Sequence, residues 1–206
     1  MTPLDQISDD LSWRESELGS LKILLSRHDI SNPQREVLLR ASWAMLYAHY
    51  EGFVKTSLTI FYDEVGKRVA ALGHLPKETR VSALISTIKK IRSLPAGEFL
   101  DEIEIFEKKY YAISPVFPEV KTNSNLWPNL LVDLLKEANI EYKIVETHRH
   151  KLRTLVARRN EIAHGKQDII AELDYYIQYE NVVYDLMYEL ALRIDERLNS
   201  APYVAT

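Results

Sequence analysis

Residues 31–54 read "SNPQREVLLRASWAMLYAHYEGFV", and the pattern is helical from one end to the other. Ser31 or Asn32 is a helix cap, Pro33 suits a first turn in which its missing N–H is no loss, and Glu36 falls where an early acid is favoured. No further proline follows until after Leu72, so the spacing predicts one long helix. Its apolar residues do not form a single narrow stripe. Leu38, Ala41, Met45 and Ala48 make one side, while Leu39, Trp43, Leu46, Tyr50, Phe53 and Val54 make a second. A helix of this kind is either central in a bundle or shared with a partner chain.

The same period continues on both sides of it. Residues 4–28 form an amphipathic helix through Leu4, Ile7, Leu11, Leu18, Leu21, Leu24 and Leu25, and shorter helices fit 77–93 and 97–111. Between Ser114 and Pro128 the pattern stops at three prolines and a polar "KTNSN" run, and a connection of that length is usually functional or mobile. Helix resumes in "NLLVDLLKEA", pauses near Asn139, and runs through "LRTLVARRNEIAH" to Gly165. A last helix carries Ile169, Ile170, Leu173, Tyr176, Ile177, Val183, Tyr184, Met187, Leu190, Ala191, Ile194 and Leu198 along one side, with Asp168 as its cap. The expectation is an all-α helical bundle of long antiparallel helices with an irregular middle segment. It forms a single domain over residues 1–206, with a long loop at 114–128 and a flexible tail from 200.

Composition narrows the function. The chain has 206 residues, 46% hydrophobic and 27% charged, with a net charge of -4, so any binding of a polyanion must be local. There is no cysteine, which removes disulfides, thiolate metal sites and thiol nucleophiles. The acidic, polar start "MTPLDQISDDLSWRESEL" is unlike a signal peptide, and no run of about 18 apolar residues occurs. The reading is of a cytoplasmic protein with no membrane association. No glycine-rich phosphate loop, serine nucleophile elbow or HExxH is present.

Charge is concentrated locally. From Glu141 to Arg159 six basic residues stand against two acids, whereas from Asp168 to Leu198 eight acids stand against two arginines. The basic strip is either an anion site or the electrostatic complement of the acidic helix. It ends in "RRNEIAHG", residues 158–165. Asn160 and His164, four apart, share a helix face, while Arg159 lies roughly 140° from His164 on an ideal helix. The long arginine can swing to the helix edge, and Gly165 lets the last turn deform, so that all three converge on one group. A guanidinium to clamp phosphate oxygens, an imidazole to move protons near neutral pH and an amide to orient the ribose or phosphate would suit a phosphodiester. Leu152, Leu155, Val156, Ile162 and Ala163 are expected to anchor the opposite face in the core. The bland alternative is a histidine that merely caps a helix end.

"LVARRNEIAHG" (155–165) resembles the signature of the HEPN superfamily of helical ribonucleases, an arginine followed by a polar residue and then a histidine. "WAMLYAHYEGFVK" (43–55) and "NSNLWPNLLVDLL" (123–135) resemble the RiboL-PSP-HEPN group in particular. The resemblance implies a bundle that dimerises through the motif helices and so gathers two motifs in one cleft. It implies metal-independent RNA cleavage by the ribose 2′-hydroxyl, leaving a 2′,3′-cyclic phosphate, with no cofactor. Members serve as toxins or antiphage effectors. Carried over, Arg159 would hold the phosphate, His164 would be the general acid or base, and Asn160 would position the site. Glu51 resembles the family's acid on an earlier helix; it would pair with Arg159 or steer His164, unless it only pairs with Lys55 four residues on. Arg158 lies outside the family pattern and is assigned electrostatic support, with Lys151 and Arg153 as further contacts to RNA. A related toxin group has a tyrosine two residues after the histidine, which a partner enzyme modifies; here that residue is Lys166, so the resemblance leaves any antitoxin or defence partner unnamed.

Other features carry blander readings. His49 is either a third polar group near the site or a buried, satisfied histidine, the latter preferred. His148 and His150 point to opposite sides of a helix and make no metal site. The tyrosines of the last helix fit core or interface better than base stacking. A non-catalytic helical module that binds RNA or a partner is the alternative function.

Overall fold

The structure is a computed structural model that describes residues 1–166 and 172–204. In those residues the chain forms seven α-helices and a short 3-10 turn, and no strand. The helices are α1 (Pro3–Leu25), α2 (Asn32–Arg68), α3 (Lys77–Arg92), α4 (Ala96–Tyr110), α5 (Pro128–Glu137), α6 (Lys143–Ala163) and α7 (Leu173–Leu198), with the 3-10 turn at Leu72–His74.

Helix α2 is the axis of the bundle. Ser31 caps it, accepting from the Gln34 N–H while the Gln34 side chain accepts from the Ser31 N–H, and Pro33 fills the first turn. The returning residue is therefore Gln34, and Glu36 lies beyond that turn. Helices α1, α6 and α7 all pack on α2, which is why its apolar residues wrap around most of its surface. Trp43, Leu46, Tyr47, Tyr50, Phe53, Val54, Leu58 and Phe61 are all buried. On the other side Leu38 and Met45 are half-buried and Ala41 and Ala48 are exposed, so one flank of α2 is uncovered in the single chain.

In α1 the buried positions are Ile7, Leu11, Arg14, Leu18 and Leu25, an arginine taking one place in an apolar stripe. Carbonyls at the end of α1 are satisfied by Arg35, which donates to the carbonyls of Leu25 and Arg27. Arg68, at the end of α2, likewise donates to the Leu198 carbonyl at 2.8 Å and fastens α2 to the end of α7. In α7, Tyr176 and Tyr179 are core residues, and the fully buried Glu180 is paired with Lys22 of α1 at 2.6 Å. The expected start of this helix, Asp168, Ile169 and Ile170, lies outside the described residues.

Helix α4 forms where the periodicity placed it, yet none of its residues is buried. After α7 the chain turns back instead of trailing away: Tyr203 is buried against the Phe61 ring and beneath the Arg197 guanidinium.

Candidate active site

Helix α6 ends on a paired main-chain stop. The Gly165 N–H bonds the Ile162 carbonyl and the Lys166 N–H bonds the Glu161 carbonyl, both at 3.0 Å, with Gly165 at φ +82°. This double closure needs a left-handed residue, which glycine adopts without a Cβ clash. The glycine thus ends the helix regularly and does not deform the last turn. His164 becomes the C-cap residue, its own N–H bonded to the Asn160 carbonyl at 3.0 Å. Its side chain is exposed and has no hydrogen-bond partner among the described residues.

On the other side of α6, Leu152, Leu155 and Val156 are buried as expected. Ile162 is only half-buried and Ala163 is exposed, because the final turn overhangs the core. The face bearing Arg153, Asn160, Glu161 and His164 is left partly or fully open to solvent.

Arg159 swings, but towards α2. Its guanidinium stacks on the Tyr47 ring, 4.4 Å from the centroid, donates through Nη1 to Asn160 Oδ1 at 2.8 Å, and through Nη2 to the Ser124 carbonyl at 2.9 Å. All three partners are uncharged, and among the described residues no carboxylate lies within ion-pair distance. A guanidinium has five N–H donors, so among the described residues three remain unused. The geometry therefore joins Arg159 with Asn160 and leaves His164 separate, further along the helix edge.

Ser124 belongs to the irregular segment before α5. Asn123 and Ser124 both have positive φ, 54° and 56°, and the Asn125 N–H bonds the Thr122 carbonyl at 3.1 Å. Two consecutive left-handed residues with that bond make a type I′ turn. Tyr47 and Tyr50 hold the turn on α2: the Tyr47 hydroxyl accepts the Leu126 N–H at 2.8 Å and the Tyr50 hydroxyl donates to the Leu126 carbonyl at 3.0 Å.

Glu51 lies one turn from Tyr47 on α2. It makes neither expected ion pair, since Lys55 bonds Glu119 at 2.7 Å and Arg159 is occupied as described. Its Oε1 is buried without a hydrogen-bond partner. Burial, reinforced by the Glu51 charge, raises the Tyr47 phenol to about 12, against the opposing pull of the Leu126 N–H and Arg159. Tyr47 is therefore a neutral phenol between an acid and a base. The sequence reading missed it, although its place four residues before Glu51 puts the two on one face.

The remaining basic residues separate. Arg158 is stacked between Trp43 and Tyr175, 5.1 Å from each ring, and donates to the Tyr175 hydroxyl at 3.2 Å. It fastens the junction of α2, α6 and α7. Lys151 lies over the Tyr179 ring at 6.0 Å, and Arg153 is exposed. His148 faces Asp185 of α7, Arg149 binds Glu146 and Asn129, and His150 is exposed. Among the described residues no three His, Asp or Glu side chains cluster to hold a metal ion.

His49 is buried away from Arg159, on the α1 side. Its Nε2 is 2.9 Å from Glu17, its Nδ1 is 3.5 Å from Arg14, and Arg14 is held by Asp10 at 2.8 Å. Burial, and then the Arg14 charge, hold the imidazole below its usual range despite Glu17. A base whose pKa is depressed by folding binds fewer protons folded than unfolded, so stability falls as pH drops below its unfolded value. Unfolding by urea between about pH 7.5 and 5.5 should show that loss, and His49→Gln should remove its share. An unchanged slope in the variant would show that other groups cause it.

No helix among the described residues is long and apolar enough to cross a membrane. No curated protein and no solved structure matches the chain. A family model does match, over residues 3–203, and it carries the HEPN_MAE_28990-like HEPN designation rather than the RiboL-PSP one. With almost its whole length covered and an all-helical fold among the described residues, the chain belongs to the HEPN superfamily.

Proposed function

We propose that the protein is a metal-independent endoribonuclease, working as a homodimer in which two copies of the α6 edge share one cleft, and serving as a toxin or antiphage effector. One observation carries the reading: Arg159 is held by three uncharged partners, and among the described residues no carboxylate pairs with it. Its charge and three of its donors remain for an anion, on the helix edge that ends in the open His164.

Arg159 would bind the non-bridging oxygens of the scissile phosphate and offset the charge that grows there. His164 would take the proton from the ribose 2′-hydroxyl as that oxygen attacks phosphorus, or return a proton to the departing 5′-oxygen. With two copies facing one another, both steps have a histidine. The products are a 2′,3′-cyclic phosphate and a 5′-hydroxyl. Asn160 keeps Arg159 in place, and Arg153 extends the positive edge.

Purified protein and its His164→Ala variant should be incubated with total RNA and with tRNA in EDTA, and the product ends determined. The expected result is cleavage by the wild type alone, leaving cyclic phosphate ends. Salt-sensitive binding of RNA with no cleavage by either protein would replace this reading with a non-catalytic RNA-binding bundle.

A further inference from the structure

The strongest observation left over is how Arg159 is held. A free arginine side chain samples many rotamers, and ordering it on binding is costly. Here it lies on the face of Tyr47, itself only 1% exposed and so unable to move aside. Tyr47 also fixes the second support of the arginine, because its hydroxyl accepts the Leu126 N–H of the segment whose Ser124 carbonyl receives Arg159 Nη2. That carbonyl is presented by a serine in the left-handed region, an uncommon and mildly costly conformation for a residue with a Cβ. The two tyrosine bonds at Leu126 keep the turn in this conformation.

We propose that Tyr47 is the positioning residue of the site: its ring and hydroxyl, with the turn at 122–127, set the reach and direction of the Arg159 guanidinium towards the scissile phosphate. This rests on the ribonuclease reading above and gives the irregular middle segment a role in that site. Tyr47 does not touch the reacting atoms. It removes the freedom that Arg159 would otherwise lose when the phosphate arrives, and misplacing a catalytic group by about 1 Å costs on the order of 10²-fold in rate.

Two variants separate the ring from the hydroxyl. Tyr47→Phe keeps the face under Arg159 and loses the bond to Leu126; Tyr47→Leu fills much of the space and loses both. With folding verified by thermal melting, Tyr47→Leu should lower kcat about 10²-fold with little change in KM, and Tyr47→Phe should stay within about tenfold of the wild type. In an Arg159→Ala background Tyr47→Leu should cost nothing further, because no guanidinium is left to place. A structural role would add its loss in both backgrounds. The second readout needs no activity: the Arg159 Nε–H resonance, shifted by the Tyr47 ring current, should keep its position in Tyr47→Phe and lose it in Tyr47→Leu. Additive losses in the cycle, or an Arg159 signal indifferent to Tyr47→Leu, would overturn the proposal. A wild type that leaves RNA intact would defeat the ribonuclease reading, and the Arg159 signal would still decide whether Tyr47 sets its placement.

Discussion

Arg159→Ala and His164→Ala should each lower RNA cleavage at least about 10²-fold while leaving the fold intact. The fold should survive because neither side chain fills the core. His164 is exposed at the end of α6, and Arg159 lies at the surface between α6 and the turn at Ser124. The losses should differ in kind. Without Arg159 the phosphate loses its charge clamp, and Arg159→Lys should recover only part of the rate, since an ammonium cannot reproduce a planar fork. Without His164 the loss should fall on kcat, because the proton transfer it would supply is made in the transition state. Cleavage rates and product ends for the three variants, with circular dichroism as the check on folding, test this directly. Full activity in both alanine variants would mean that the cleavage chemistry is elsewhere in the chain.

Trp43→Ala should be the most destabilising single change near the site, at about 3–5 kcal/mol. Trp43 is fully buried on α2 and meets three tyrosines of α7: Tyr179 at 4.8 Å between ring centroids, Tyr176 at 5.6 Å and Tyr175 at 6.0 Å. Its outer face carries the Arg158 guanidinium at 5.1 Å. Truncation opens a cavity where α2, α6 and α7 meet and leaves that guanidinium with one ring instead of two. Trp43→Phe should cost much less, because it keeps an aromatic face and removes an indole N–H that is buried without a hydrogen-bond partner. Urea denaturation of the two variants separates these terms. A Trp43→Ala loss below about 1 kcal/mol would mean that the junction repacks freely.

Local chemistry determined what was legible beforehand. The start of α2 could be read because the Ser31 cap and Pro33 act within one turn, and the end of α6 because Gly165 alone supplies its φ. The central place of α2 followed from apolar residues on more than one side. Long-range decisions were not legible. Arg159 is aimed by a turn 35 residues earlier in the chain, so no spacing within α6 gives its direction. The sequence assigns Arg158 only electrostatic support for the site, and it is the approach of α2 and α7 that makes it a stacked fastener. Arg14 and His49, on different helices, form one buried pair that neither local sequence announces. The resemblance named Glu51, but its partners depend on which way Arg159 turns.

The paired main-chain stop at Gly165 and Lys166 means that the proposed catalytic histidine is placed by two main-chain hydrogen bonds at a helix end, the part of a helix that opens most readily. Fraying of a single turn would carry His164 out of register while the core stayed folded. The exchange rates of the Gly165 and Lys166 amide protons therefore measure the fraction of time the histidine is in position. A factor that docked on that turn and slowed this exchange would hold His164 in position without contacting any other part of the proposed site.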